Sequence, residues 1–308
     1  MRYVVTGGAG FIGSHIADAL AEKHEVIILD NFFSGKKENI GTLVQRSSVR
    51  VVNGSITDIE LLKKLFADAD GIFHEAAVAS VPRSIKNPLA TNETNVTGTL
   101  NVLVAAQECG VKKLVFASSS SVYGDTPALP KREDMQPNPK SPYAVSKLAG
   151  ESYMQVFSDL YDRQTVSLRY FNVFGPRQDP QSEYAAVIPK FITRILNNES
   201  PTIYGDGGQT RDFTYVKDVV QANIKAMESN AGGIFNIAYC QRISLNTLAH
   251  MIMEITGKTV PIRYDAPRDG DIHDSLADIT KAKNMIHYAP EYTVKTGLEE
   301  TIRWYMNQ

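Results

Sequence analysis

Tyr143 and Lys147 stand four residues apart in the run Tyr143-Ala144-Val145-Ser146-Lys147. On a helix that spacing puts both side chains on one face. A free phenol, with a pKa of about 10, is too weak an acid to act as a base near neutral pH. An ammonium beside it, helped by the positive ring of a bound nicotinamide, stabilises the phenolate and lowers that value. Ser119, inside the run Ser118 to Ser121, offers a hydroxyl that can bond the same substrate oxygen. Such a trio can move a proton on and off a carbon that bears a hydroxyl. An isolated Tyr-x-x-x-Lys is more often a surface tyrosine beside a lysine, so the reading depends on what else the chain supplies.

It supplies Gly7-Gly8-Ala9-Gly10-Phe11-Ile12-Gly13. Gly8, Gly10 and Gly13 fit G-x-G-x-x-G, and Gly7, Gly10 and Gly13 fit G-x-x-G-x-x-G. Glycine tolerates the tight turn, the close approach of a pyrophosphate and the tight helix–strand contact. The helix that opens at Phe11 then presents free N–H groups and a positive dipole end to phosphates. A glycine-rich turn alone is a weak signal. Here a strand precedes it, and Asp30 ends the next strand twenty positions after Gly10. A carboxylate there accepts hydrogen bonds from the adenosine ribose hydroxyls and repels a 2′-phosphate. NAD is therefore expected ahead of NADP, with Lys36 and Lys37 the residues that argue the other way.

These residues need strands and helices to carry them. Short apolar runs predict strands over Tyr3–Thr6, Val26–Asp30, Val49–Val52, Gly71–His74, Lys113–Ser118 and Val166–Tyr170. Runs of this kind suit strands buried on both faces. Helical patterns fall between them, at Phe11–Glu22, Asp58–Phe66 and Glu93–Cys109, and Ser141-Pro142 is a good start for the helix carrying Tyr143. The alternation predicts an α/β fold, a Rossmann-type doubly wound parallel sheet. After about Asn172 glycine and proline become frequent, which predicts a smaller, loop-rich α/β substrate lobe. The expected division is residues 1–171 as an NAD-binding domain, with 215–238 returning to it, and 172–308 as mainly a nucleotide-sugar lobe.

Composition narrows the function classes. The chain of 308 residues is 43% hydrophobic and 21% charged, with net charge −2 and no long basic run. Nucleic-acid binding is not expected from such a balance. No apolar run is long enough to span a membrane, and no signal peptide precedes the first strand, so a cytoplasmic protein is expected. Cys109 and Cys240 form neither a C-x-x-C nor a metal pattern and are expected to be reduced and buried. The six histidines show no ligand spacing, so no metal is expected.

Taken together these residues resemble the extended short-chain dehydrogenase/reductase family, and within it the nucleotide-sugar 4-epimerases. Further matches are Asp30-Asn31, His74-Glu75-Ala76-Ala77, Asn95-Val96-Thr97-Gly98-Thr99, Arg169-Tyr170-Phe171-Asn172-Val173, Ile188-Pro189, Gly205-Asp206-Gly207, Arg211-Asp212-Phe213 and Arg268-Asp269-Gly270-Asp271. The resemblance covers nearly the whole chain and implies roles. Gly7, Gly10, Phe11 and Ile12 would line the pyrophosphate; Asp30, Asn31, Ser34 and Gly35 would hold the adenosine ribose region. Ile56 would contact the adenine. Ala76, Ala77, Asn95 and Ser118 would pass along the cofactor, with Phe171 and Val173 near the nicotinamide. Asn172, Arg211 and Arg268 would clamp the nucleotide diphosphate, guanidinium forks suiting phosphate oxygens. Ser80, Arg83, Ser119, Ser120, Val187, Tyr204, Asp271 and Ser275 complete the implied substrate contacts. A homodimer through helices Glu93–Cys109 and Tyr143–Tyr161 is also implied. One departure stands out: Ser55 occupies a place where members often carry aspartate near the adenine.

Within the family, dehydratases carry Asp-Glu where this chain has Ser120 and Ser121, and decarboxylases usually keep a glutamate at the position of Ser121. Serines cannot serve as that acid–base pair at neutral pH. Reversible oxidation with nothing removed remains, so the expectation is NAD-dependent C4 epimerisation of a UDP-hexose, with tightly bound NAD regenerated each cycle. Tyr143 takes the C4 hydroxyl proton, Ser119 steadies the oxygen, and Lys147 tunes Tyr143 and holds the nicotinamide ribose. Ser275, two residues after His273, resembles the gate beside the sugar's C2. Its small size leaves room for an N-acetyl group, so UDP-GlcNAc and UDP-GalNAc are expected, alongside UDP-glucose and UDP-galactose. UDP-glucuronate is the rival substrate, through Arg177 or Arg83. An NADP-dependent reductase and a non-catalytic NAD sensor are the rival classes.

Overall fold

The computed structural model describes residues 1–180, 186–267 and 273–308. Seven strands form one sheet: β1 Arg2–Thr6, β2 Glu25–Asp30, β3 Val49–Asn53, β4 Gly71–His74, β5 Lys113–Ser119, β6 Gln164–Tyr170 and β7 Gly233–Ile237. Their spatial order is β7-β6-β5-β4-β1-β2-β3, and every pairing is parallel. The helices used below are α1 Phe11–Leu20, α2 Ile59–Phe66, α3 Val81–Lys86, α4 Gly98–Glu108, α5 Pro142–Tyr161, α6 Val187–Leu196, α7 Val216–Glu228, α8 Leu245–Thr256 and α9 Val294–Met306.

The strand sequences explain why both faces are covered. Side chains alternate across a strand, and the apolar runs therefore feed two cores at once. Tyr3, Val5, Ile28, Val115 and Val166 pack against α1 and α7. Val4, Ile27, Leu29, Leu114 and Phe116 pack on the opposite face against α2, α4 and α5. A third core under α6, α8 and α9, with Phe174, Phe191, Phe213 and Leu248, belongs to the smaller lobe.

The sheet order reverses between β1 and β4, and open α/β sheets bind ligands at the carboxyl end of such a switch point. The turns Gly7–Gly10 and Glu75–Ala77 meet there. A Cβ on Gly7, whose φ is +67°, would lie 2.7 Å from the Ala76 backbone, so glycine is required for the two turns to touch. A Cβ on Gly13 would lie 2.3 Å from the Gly7 carbonyl oxygen, which explains how α1 approaches the turn so closely.

Several expected boundaries move. Asp58 is the cap of α2 rather than its first residue, accepting a hydrogen bond from the Leu61 N–H at 3.0 Å. The stretch expected as one helix from Glu93 begins with a wide π-type turn over Glu93–Thr97 before α4. Asn95 lies in that turn with its side chain committed elsewhere, as described below. The cysteines differ from expectation: both are free thiols, but Cys109 is only half-buried and Cys240 is exposed. Cys240 has φ +68°, on a turn that holds it at the surface. No described helix is long and apolar enough to cross a membrane.

Candidate active site

Tyr143 enters α5 at its first turn. Ser141 caps the helix through the Ala144 N–H at 3.2 Å and Pro142 occupies the first helical position. The Tyr143 N–H donates to Ser84 Oγ of α3 at 3.0 Å, so the short helix after β4 braces the start of α5. The Ser119 hydroxyl is close enough to the Tyr143 phenol to favour its ionised form. Lys147, one turn on, is buried and donates from Nζ to the Ala117 carbonyl at 2.7 Å, with its ammonium 5.9 Å from the centre of the Tyr143 ring. Strand β5 thus supplies Ser119 beside Tyr143 and the Ala117 carbonyl that holds Lys147.

The electrostatics depart from the sequence expectation. Burial holds the Tyr143 phenol above its ordinary value; the Ser119 hydroxyl lowers it and the charge of Glu75 raises it again. Burial lowers Lys147 to about 8, against the opposing pull of Glu75 and Glu151. The ammonium spends a hydrogen bond on Ala117 instead of on the phenol, so the chain alone does not depress the Tyr143 pKa. Glu75, beside the glycine turn, is pushed up to about 7 by desolvation, while the Tyr170 hydroxyl (2.9 Å) and Lys147 pull it down.

The cofactor groove fits a dinucleotide. α1 has no side-chain cap at Gly10 and no acid in its first turn, so its first N–H groups are left for an anion. Asp30 closes the adenosine end, accepting from Ala9 N at 2.9 Å and Phe32 N at 2.8 Å. A Cβ on Gly35 would lie 2.6 Å from that carboxylate. Asn31 accepts from the Phe33 N–H at 3.1 Å, and Ser34 is exposed beside it. Lys36 pairs with Asp179 at 3.0 Å and Lys37 lies over the Phe32 ring at 5.9 Å. Ala76 and Ala77 are half-buried at the end of β4.

Other predicted contacts have side chains engaged within the protein. Ser118 is 3% exposed and its hydroxyl donates to Glu151 at 2.5 Å, because alternation along β5 turns it inward. Ile56 is buried in the α2–α4 core, where Gly98 leaves room for it. Phe171 is fully buried against Tyr123. Asn95 spends its amide on the backbone of Val78, at 2.7 and 3.3 Å, and on Ser146 Oγ at 3.0 Å; it braces the site from behind. Ser80 caps α3 through the Arg83 N–H at 3.2 Å. Arg83 sits over the Phe33 ring at 5.1 Å, and Arg177 is bound to Asp18 at 2.9 Å. Of the two cations proposed for a glucuronate carboxylate, Arg177 is ion-paired and Arg83 rests on a ring.

A cavity of about 670 Å³ opens in the smaller lobe, lined among others by Pro82, Asn172, Val173, Val187, Tyr204 and Arg211. That volume suits a ligand of nucleotide-sugar size. Pro82 connects it to the catalytic centre, since Ser84, two residues on, holds the Tyr143 N–H. Asn172, at φ +37°, donates to the Asp212 carbonyl at 3.0 Å. Arg211 donates to the carbonyls of Thr210 (2.9 Å) and His273 (3.1 Å). Ser120 lies in the 3₁₀ turn after β5. Ser275 is half-buried and is not among the residues lining the cavity; its N–H donates to Thr210 O at 3.2 Å. Arg268 and Asp271 lie outside the described residues.

Sequence reading missed four contributors. Glu75 was visible inside its motif without a role, and Ser84 and Phe33 carried no signal. Glu151 continues the Tyr143, Lys147 spacing by another four residues, which could have marked it; it forms a buried bidentate pair with Arg169 at 2.8 and 2.7 Å.

The model of the NAD dependent epimerase/dehydratase family matches residues 3–238. A solved UDP-N-acetylglucosamine 4-epimerase from Methanobrevibacter ruminantium M1, in complex with UDP-N-acetylmuramic acid, is similar with a TM-score of 0.97 and 44% identity, over 99% of this chain and 98% of that one. A UDP-glucose 4-epimerase structure from Thermotoga maritima, with UDP-glucose, has a TM-score of 0.95 and 38% identity over 100% of this chain and 99% of its own. The UDP-glucose 4-epimerase of Mycolicibacterium smegmatis is 38% identical over 100% of this chain and 99% of its own.

Proposed function

The chain belongs to the NAD dependent epimerase/dehydratase family, and on that premise we propose that it is an isomerase that inverts C4 of a UDP-hexose with tightly bound NAD. One observation carries the reading. The tyrosine–serine–lysine group is assembled at the carboxyl end of β5, while positions 120 and 121 beside it are serines. The proton machinery for a hydroxyl is present, and the carboxylates that would expel water are not at those positions. The 4-epimerases among the similar proteins support the same reading.

The chemistry NAD supplies when bound is reversible hydride exchange with C4. The remaining tasks fall to the chain. Tyr143 Oη takes and returns the C4 hydroxyl proton, Ser119 holds that oxygen, and Lys147 supplies positive charge beneath the phenol. Gly7, Gly10, Phe11 and Ile12 receive the diphosphate, and Asp30 with Asn31, Ser34 and Gly35 the adenosine ribose. Asp30 also excludes a 2′-phosphate, against an NADP-dependent reductase. The cavity with Asn172, Val187, Tyr204 and Arg211 receives the nucleotide sugar. The epimerised sugar must leave Tyr143 as a ketone and return turned over, which requires open space of the kind this cavity offers.

For the substrate we favour UDP-GlcNAc and UDP-GalNAc, with UDP-glucose and UDP-galactose also accepted. Small Ser275 supports this, as does the pairing of Arg177 with Asp18, which leaves that cation less free for a glucuronate carboxylate. The proposal extends to residues 1–171 with 215–238 as the cofactor domain and the remainder as the sugar lobe, to a homodimer, and to a cytoplasmic enzyme. Two free thiols fit that compartment. The test is proton NMR of UDP-GlcNAc, and separately UDP-glucose, incubated with the purified protein without added cofactor. Inversion at C4 to an equilibrium mixture is expected. Loss of water or carbon dioxide, or no reaction even with added NAD, overturns the proposal.

A further inference from the structure

The Arg83–Phe33 contact lies in a place that gives it a job. In the sheet β1 has β2 on one side and β4 on the other, each about 4.8 Å away. The loop leaving β2 carries Phe33 and the segment leaving β4 carries Arg83. The glycine turn leaves β1 between them. Two segments that flank the turn can touch only by arching over it, and the Arg83 guanidinium lies 5.1 Å from the Phe33 ring centre. The contact therefore bridges the groove in which the dinucleotide reading puts the diphosphate.

Both arms are held in place. Phe32 has φ +57°, a conformation that an aromatic residue rarely adopts unless its surroundings impose it. Asp30 Oδ1 fixes the Phe32 N–H at 2.8 Å and Asn31 Oδ1 the Phe33 N–H at 3.1 Å. The Lys36 N–H donates to the Ala9 carbonyl at 2.9 Å, tying the far end of this loop to the glycine turn. On the other arm, Ser80 caps α3 and Ser84 Oγ accepts the Tyr143 N–H at 3.0 Å. Phe33 is 62% exposed, so it fills no core. Among the described residues Arg83 meets no carboxylate, which leaves its charge for phosphate oxygens.

Resting on the reading that the groove holds NAD, we propose that Phe33 and Arg83 form a clasp that closes over the bound dinucleotide and retains it between turnovers. Arg83 is then a cofactor-retaining residue, not a sugar-recognising one. The same contact joins the adenosine loop to the start of the catalytic helix through Ser84, so cofactor retention and Tyr143 position share one brace.

The experiment measures NAD, not turnover. Wild type, Phe33→Ala and Arg83→Ala are purified, NAD is released by acid at intervals after gel filtration and quantified, and UDP affinity is measured by calorimetry. Losing a cation–π contact at an exposed ring predicts about two- to fivefold faster NAD loss in each variant, with UDP affinity within about twofold of wild type. Phe33→Trp should retain NAD, because tryptophan is the better partner for a guanidinium. Phe33→Leu keeps the bulk without the ring and should behave like Phe33→Ala if the contact matters; this also covers misfolding of the alanine variant. Wild-type retention in both alanine variants, or an Arg83→Ala that loses UDP affinity instead of NAD, overturns the clasp. A wild-type protein that neither carries nor takes up NAD overturns the cofactor reading itself.

Discussion

Two residues show how burial sets proton chemistry here. Tyr143 has the right neighbours, yet the chain by itself holds the phenol above its ordinary value, so the charge that lowers it must arrive with the ligands. Tyr143→Phe keeps the ring and removes only the proton carrier. It should reduce kcat by about 10²- to 10⁴-fold with little change in KM, read by the same NMR assay; a variant within a few-fold of wild type would remove Tyr143 as the base. His74 is 1% exposed, bonded to the Thr6 hydroxyl at 2.7 Å and the Thr99 hydroxyl at 2.9 Å, and burial lowers it to about 3. Its folded pKa lies below the unfolded one, so from about pH 6.5 down to 3 the unfolded chain binds a proton that the fold refuses. Stability from this group is complete above that window and drains as pH falls through it, by up to about 1.4 kcal/mol per pH unit. His74→Gln should show a shallower fall in urea-unfolding free energy between pH 7 and 5 than wild type; parallel curves would contradict the assignment.

At the scale of elements, α5 is the part that ties chemistry to stability. One of its faces carries Tyr143, Lys147 and Glu151 in successive turns, and Glu151 anchors the helix to the sheet through Arg169, itself 1% exposed, and Ser118. The guanidinium also stacks on Tyr123 at 4.6 Å. A buried pair loses most when one partner goes, because the other charge is left alone. Glu151→Gln should destabilise the fold by about 3 kcal/mol or more, whereas a double replacement of Glu151 and Arg169 by methionine should recover much of that. Calorimetric or urea-unfolding measurements on wild type, Glu151→Gln and the double variant decide it: a double variant that recovers none of the single variant's loss would mean that an unpaired Arg169 charge is not what costs the stability.

For the whole molecule, the outward face of α5 matters most. Val145, Val156 and Leu160 are all exposed along it, and Ile85 of α3 and Leu89 of the Pro88–Asn92 helix, two elements packed against α5, are exposed as well. A second copy packed on this face would cover them, which supports the homodimer. Wild type should sediment at twice the monomer mass at micromolar concentration, and Val156→Glu with Leu160→Glu should sediment as a monomer. A monomeric wild type would remove the proposal.

The sequence by itself determined what depends on local pattern. Strand–glycine–helix order, the continuous apolar runs that feed two cores, and the four-residue step from Tyr143 to Lys147 all follow from short-range geometry. Gly7, Gly13, Asp30, Ser119 and Tyr143 could be singled out because each is required by its immediate neighbours or motif. What the tertiary structure decided is where side chains at strand ends and in loops turn. Ser118 and Ile56 face the core because pleat and packing turn them there, and Asn95 faces Val78 and Ser146 across a turn no spacing announces. Arg83 meets Phe33 only because β2 and β4 flank β1, a long-range arrangement. The same packing, by desolvation, sets the proton affinities of Lys147, Glu75 and His74, which no run of letters carries.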